Sequence, residues 1–239
     1  MSVQPVLLWS DALIWLLVLA VAGLGYQSRR NPPLRAAWRR LGRNRPGMAA
    51  ATVLLAFVLV GLIDSVHYRP RLADVGTGQP SAYSIEVLSL LDTIAAPLRI
   101  RNEKTYSAPL ATQAYAKESI EIRGADGVVQ TMRDFPRLVF GGAHLAGNDA
   151  ARERDVLHKT LRALGLAALM LVVLSLAGAG VLARRQKVAL MPAWRSLWRG
   201  DTDIAWNAVL MTLGGLLLVL LPLLVLCVDY HVFGTDKVG

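Results

Sequence analysis

Seven arginines and no acid fall between Arg29 and Arg45, at Arg29, Arg30, Arg35, Arg39, Arg40, Arg43 and Arg45, and an apolar stretch flanks the run on each side. Val6 to Tyr26 carries one charged residue, Asp11, and Gly47 to Ile63 carries none. Short loops rich in Lys and Arg stay on the cytoplasmic side of a bilayer, because cations cross against the membrane potential only at high cost. Placing this loop inside sets the expected side of everything after it.

The 239 residues are 54% hydrophobic, against about 45–50% for a soluble globular chain. The excess sits in four blocks, which points to membrane spans and not to a larger core. A second basic loop follows the third block, with Arg184, Arg185, Lys187, Arg195 and Arg199. The long stretch Asp64 to Lys159 holds 12 basic and 12 acidic residues, so the formal charge of +9 belongs mainly to the loops. Loop arginines of this kind act as topology determinants and meet anionic lipid headgroups. No basic, aromatic-rich surface module marks a nucleic-acid partner. The single cysteine, Cys227, lies in an apolar run, which excludes an intrachain disulfide and a thiolate metal cluster. No Lys or Arg precedes the first apolar run. The basic start of a cleavable signal is therefore missing, and the run is expected to be retained with its N-terminus outside.

The expected fold class is membrane α-helical, with four transmembrane helices and a small α+β extracytoplasmic domain between spans two and three. Residues 1–63 form two spans joined by the basic elbow, 64–159 the outer segment, and 160–239 two further spans with their basic loop. Span one is expected over Val6 to Tyr26, with Asp11 near the outer interface, between Trp9 and Trp15, in the first turn of the helix. Asn31-Pro32-Pro33 ends it, and Leu34, Trp38 and Leu41 then recur at helical spacing among arginines, the pattern of a helix lying on the inner surface. Pro46 marks the next turn, and span two covers Gly47 to Ile63, with a close-approach patch at Ala49-Ala50-Ala51.

In the outer segment Gly76 to Pro80 reads as loop. Val87, Leu88, Leu91, Ile94 and Ala95 predict an amphipathic helix over Ser84 to Ala96, ended near Pro97. Ser119 to Arg123 and Val128 to Met132 flank an Asp-Gly turn and predict a hairpin, with Glu118 and Glu121 on a solvated face. Asp149 is placed to cap a helix from Ala150. That helix starts charged and becomes apolar from Ala163 to Ala183, running from outside into span three. Trp194, Leu197 and Trp198 repeat the interfacial pattern of the first elbow. Span four covers Ile204 to Val228, with Pro222 inside it and a lipid-facing row at Leu213, Leu217, Leu220 and Leu224.

The tail His231-Val-Phe-Gly234-Thr235-Asp236-Lys-Val-Gly239 resembles the His-x-x-Gly-Thr-Asp-x-x-Gly-x-Asp-Val pattern of oligopeptide/dipeptide-type ABC transporter permeases, of the C-type subunit. Trp38-Arg-Arg-Leu-Gly-Arg-Asn-Arg45 leading into Gly47 to Ile63 is similar to the basic elbow and first span of the same family. A weaker echo of the tail lies at His144-Leu-Ala-Gly147-Asn148-Asp149 with Arg154-Asp155-Val156-Leu157 after it. Asn148 stands there in place of Thr, and one extra residue separates the halves.

The resemblance implies the N-terminal portion of a permease importing peptides or similar small solutes across the bacterial inner membrane. Its implied partners are the lipid bilayer, a second permease subunit, cytoplasmic ATPase subunits and a periplasmic substrate-binding protein. The cytoplasmic Glu-Ala-Ala loop that docks the ATPase in that family has no counterpart here. Residues 1–239 alone are therefore expected neither to bind the ATPase nor to transport. Asp236 would cap a helix that does not follow, so Gly234 to Gly239 are expected to be mobile.

No Gly-x-x-x-x-Gly-Lys-Ser/Thr, no Gly-x-Ser-x-Gly and no paired metal-ligand spacing among His67, His144, His158 and His231 marks a catalytic, cofactor or metal site. A non-enzymatic transport component is the first functional expectation. A stand-alone four-span scaffold or binding protein with an extracytoplasmic domain is the alternative.

Overall fold

The computed structural model describes residues 3–71, 83–99, 101, 103, 106–123 and 129–236. It divides into two compact units, Met1–Ala96 with Leu171–Gly214 and Pro97–Met170 with Gly215–Gly239.

In unit one, strand β1 (Val3–Val6) precedes helix α1 (Trp9–Arg30). The expected first span therefore starts three residues late, because Val3–Val6 pairs antiparallel with β2 (His67–Pro70). Asp11 sits in the third helical position, where its carboxylate accepts the Leu8 N–H at 3.0 Å, half of a capping box. Pro32 and Pro33 occupy the first turn of α2 (Pro32–Arg43), where a missing N–H costs nothing. Pro46 does the same in α3 (Arg45–Asp64), whose Asn44 cap accepts the Gly47 N–H.

The expected helix over Ser84–Ala96 forms only in part. Leu88–Ser89 is strand β3 and pairs with β2, so Leu88 of the apolar pattern goes to the sheet. Ser89 and Asp92 then build a capping box, and α4 (Leu90–Ile94) starts there. Pro97 falls in the first turn of α5 (Ala96–Arg99) instead of ending the helix before it. Gly76–Pro80 lies outside the described residues.

In unit two, β4 (Glu118–Arg123) and β5 (Val129–Asp134) form the expected antiparallel hairpin; its turn at 124–128 is outside the described residues. Asp149 does not cap the long helix. It opens a 3₁₀ turn, Asp149–Ala151, and its carboxylate takes Arg137 at 2.9 Å and Gln113 at 3.2 Å. The continuous helix α6 (Arg152–Gln186) begins after it, passes from unit two into unit one, and is 35 residues long. At 1.5 Å per residue that is about 52 Å, well beyond a hydrocarbon core of about 30 Å. Its charged first turns thus lie outside its apolar run. Then come α7 (Leu190–Arg199) and α8 (Trp206–Cys227), the latter with Pro222 inside it.

Among the described residues, four helices are long and apolar enough to cross a membrane. Helix α3 carries no charge between Gly47 and Ile63 yet has no buried residue, and Leu13, Leu16, Leu17 and Leu19 of α1 are each more than 60% exposed. Large apolar faces left uncovered in this way need lipid or partner helices to meet them.

Candidate functional site

The polar side chains of unit two gather around the tail after α8. Glu103 is 4% exposed. Its Oε2 accepts the Val139 N–H at 2.9 Å, and its Oε1 accepts those of Phe140 at 2.7 Å and Gly141 at 3.1 Å. His231 Nε2 lies 3.2 Å from the same Oε1. Burial pushes the Glu103 carboxyl up, but the three backbone amides and His231 outweigh it, and the group settles below the ordinary glutamate value.

The tail is stitched to its surroundings by backbone bonds. Gly142 N–H donates to Asp229 O at 2.8 Å, and Leu110 N–H donates to His231 O at 2.9 Å. Gly234 has φ +79°, and a Cβ there would lie 2.4 Å from Ser107 O. No side chain fits that position, which explains the glycine. Thr235 bridges Ser107, with its hydroxyl donating to Ser107 Oγ at 3.0 Å. Gly234 and Thr235 are therefore held in place, against the mobility expected for them. Asp236 is also partnered, and Gly239 lies outside the described residues.

A second cluster joins the charged start of α6 to the residues after α8. Asp155 Oδ2 takes three donors: Lys159 Nζ at 2.8 Å, the Tyr230 hydroxyl at 2.7 Å and His144 Nε2 at 2.8 Å. Lys159 also reaches Asp229 Oδ2 at 2.8 Å. Tyr230 is 2% exposed, and the His144 ring meets it edge-on at 5.4 Å. Burial acts against the Asp155 charge, but Lys159, Tyr230 and His144 reverse this and bring its pKa to about 2. Burial likewise opposes the Lys159 charge, and the two aspartates raise its pKa above the ordinary lysine value. The Tyr230 hydroxyl is pushed up by burial and by the adjacent Asp155. His144 opens the weaker motif echo and Asp155 lies in its second half, and the two meet. His231, the corresponding residue of the tail, pairs with Glu103 instead.

In unit one the Asp11 side chain is buried at 1% exposure and lies 2.9 Å from His67 Nδ1. Asp11 is in the first turn, as expected, and its carboxylate has a partner that was not expected: it serves the helix end and meets β2 through His67. The basic residues fall at helix ends and on the elbow helix. Arg29 and Arg30 are in the last turn of α1, with Arg30 over the Tyr26 ring at 4.4 Å. Arg35, Arg39, Arg40 and Arg43 are on α2, and Arg45 opens α3. Arg184 and Arg185 end α6, and Lys187 follows it with φ +56°.

Sequence reasoning missed Glu103, Tyr230 and the Asp11–His67 pair. Glu103 and His231 are 128 positions apart, and no local pattern links them. Asp155 and Lys159, at i,i+4 on one helix, did carry a readable signal. Chemically the clusters are clasps: the Glu103 and Asp155 carboxylates are occupied by internal donors. Among the described residues no group of three or more His, Cys, Asp or Glu side chains is placed to hold a metal. No family model, no curated protein and no solved structure matches the chain.

Proposed function

We propose that this chain is the N-terminal membrane region of a binding-protein-dependent ABC permease of the oligopeptide/dipeptide C type, resident in a bacterial inner membrane and importing peptides or similar small solutes. Both basic loops then face the cytoplasm, and the N-terminus, residues 64–159 and the tail face the other side. The nucleotide chemistry belongs to an ATPase partner, and a second permease subunit and an external solute-binding protein complete the machine.

The observation that carries this reading is the His231-x-x-Gly234-Thr235-Asp236 pattern standing directly after α8. Its geometry favours a motif whose residues are individually needed: His231 against Glu103, Gly234 against the Ser107 backbone, Thr235 bridging Ser107. The uncovered apolar faces of α1 and α3 support a bilayer setting. One feature favours the alternative, a stand-alone scaffold or binding protein: unit two closes its own polar clusters without help from further transport helices.

The deciding experiment is purification in mild detergent of the gene product tagged at its own locus. A co-purifying ATPase with a phosphate-binding loop and an external solute-binding protein are expected, whereas residues 1–239 expressed alone should bring down neither. Purification of the native product free of any ATPase would decide for the scaffold. Orientation is checked separately with an impermeant thiol reagent in spheroplasts. Ser81→Cys should label and Ala36→Cys should not; the reverse would overturn the topology.

A further inference from the structure

A groove of ≈ 950 Å³ opens in unit one where the end of α1, the elbow helix α2 and the start of α3 meet the segment before α8. Arg29, Arg35, Arg39 and Arg43 line it. Asp203 is the one acid there, and it pairs with Arg43 at 3.3 Å. Arg29, Arg35 and Arg39 have no acidic partner among the described residues. Arg35 and Arg39 stand four residues apart on α2, hence on one face of the helix. Trp38 holds that helix to the end of α1 through its indole N–H, which donates to Ser28 Oγ at 3.1 Å. Beyond Ser28 the remaining wall is apolar, with Met48, Ala51 and Trp206.

We propose that this groove binds one anionic phospholipid, its phosphate forked by Arg35 and Arg39 beside Arg29 and its acyl chain laid along Met48 and Trp206. Guanidinium forks match phosphate oxygens bidentately. Basic recesses between membrane helices on the cytoplasmic side suit acidic headgroups. The volume exceeds the needs of a free phosphate, and the apolar wall suits the start of an acyl chain beside the headgroup. The site rests on the membrane reading above, which is tested on its own by resistance of the protein to alkaline carbonate extraction.

The experiment is native mass spectrometry of the whole chain in detergent, titrated with dioleoyl phosphatidylglycerol and with dioleoyl phosphatidylcholine. Wild type should retain one phosphatidylglycerol with a preference of about tenfold or more over phosphatidylcholine. Arg35→Gln/Arg39→Gln should erase that preference, and Arg184→Gln/Arg185→Gln, which removes the same charge from the other loop, should keep it. Arg35→Lys/Arg39→Lys leaves the loop's charge and side unchanged and should lose several-fold in affinity, because an ammonium does not fork. Equal loss from both Gln pairs, undiminished binding in the Lys pair, or no headgroup preference would each overturn the proposal. Displacement of the lipid by millimolar inorganic phosphate would also do so, marking a small-anion site. A protein that needs detergent yet shows no preference refutes the groove and leaves the membrane reading standing.

Discussion

The stretches α1–α2–α3 and α6–α7–α8 share one sequence plan, an apolar helix, a short amphipathic helix rich in Trp and Arg, and a second apolar helix, yet they are held together differently. On the first elbow only Gly42 of α2 is buried, its carbonyl taking the Ala205 N–H at 2.7 Å. On the second, Ala193 and Leu197 of α7 are buried, and Trp194 donates its indole N–H to Ser175 of α6 at 3.1 Å. At their other ends the first plan has the β1–β2 backbone pairing and a single side-chain pair, Asp11 with His67. The second relies on a network of His144, Asp155, Lys159, Asp229 and Tyr230. Amphipathic pattern alone therefore does not decide whether an elbow packs. The second elbow puts Leu197 against α6, where a Cβ on Gly178 would sit at an ordinary van der Waals distance of 3.5 Å from its Cδ1. Four of the twelve residues of α2 are arginines, against two of ten in α7.

The sharpest contrast is a glycine substitution in each half. Gly234→Ala asks a side chain to adopt φ +79° with its Cβ 2.4 Å from a backbone oxygen. Left-handed strain and the forced backbone shift together cost about 2–5 kcal/mol. Gly61→Ala in α3 meets nothing within 4 Å and should be neutral or gain up to about 1 kcal/mol. Hydrogen exchange resolves the two: rapid exchange over 229–235 in the first variant and none in the second is expected. A Gly234→Ala protein with wild-type protection would show that the tail is not clamped.

Next in size is Glu103→Gln. The amide keeps one acceptor and turns the other into a donor facing a backbone N–H, which should cost about 1.5–3 kcal/mol. The same carboxylate sets an acid limit. Glu103 and Asp155 hold their protons less tightly in the fold than in the unfolded chain, Asp155 at about 2 against 3.8. Acid therefore favours unfolding: the contribution is complete above the unfolded carboxylate range, about pH 4, and disappears as pH falls toward 2. Lys159 works in the opposite direction, its contribution present below 10.5 and lost as pH rises through its higher folded value. All six tryptophans lie in unit one. Acid should thus raise exchange over 229–235 before it changes tryptophan emission. Simultaneous change in both signals would mean that the two regions unfold together and the contrast fails.

What could be read in advance divides along the same line. The four apolar helices, the two elbows and the β4–β5 hairpin were legible, since each is written in local period, charge or turn chemistry. The helix expected over Ser84–Ala96 was misread because Leu88 and Ser89 answer to a distant strand, His67–Pro70, and not to their own periodicity. The clasps were illegible for the same reason. Glu103 has no informative neighbours, and Asp11 looked like a dipole partner until His67, 56 positions away, closed on it. Gly234 was visible as part of a pattern, but its reason, the Ser107 carbonyl, is a tertiary fact.

Asp11→Asn tests the single pair. An interfacial acid at a helix start contributes about 0.3–1 kcal/mol. A carboxylate buried to 1% exposure, accepting from Leu8 and facing His67, should cost about 1–3 kcal/mol when neutralised. The readout is thermal unfolding in detergent followed by tryptophan emission, with His67→Gln as companion. The two single costs should fall short of additivity in the double variant, as expected for groups in contact. Additive costs would return Asp11 to the role of a plain helix-end charge.

The smallest effect is the most direct probe of the elbows. Trp194 and Trp38 make the same bond, indole N–H to a serine hydroxyl at 3.1 Å, in different surroundings. Ser175 is fully buried, whereas Trp38 is 59% exposed. Water replaces a lost bond at an exposed site and cannot at a buried one, so Trp194→Phe should cost about 1 kcal/mol and Trp38→Phe less than about half of that. Ser175→Ala and Ser28→Ala complete two double-mutant cycles that isolate the pairwise coupling from the change in ring size. A coupling at Trp38 as large as that at Trp194 would mean that the first elbow is packed as firmly as the second. The open groove beside α2 would then be a closed contact in solution, and the difference between the two elbows would rest on arginine count alone.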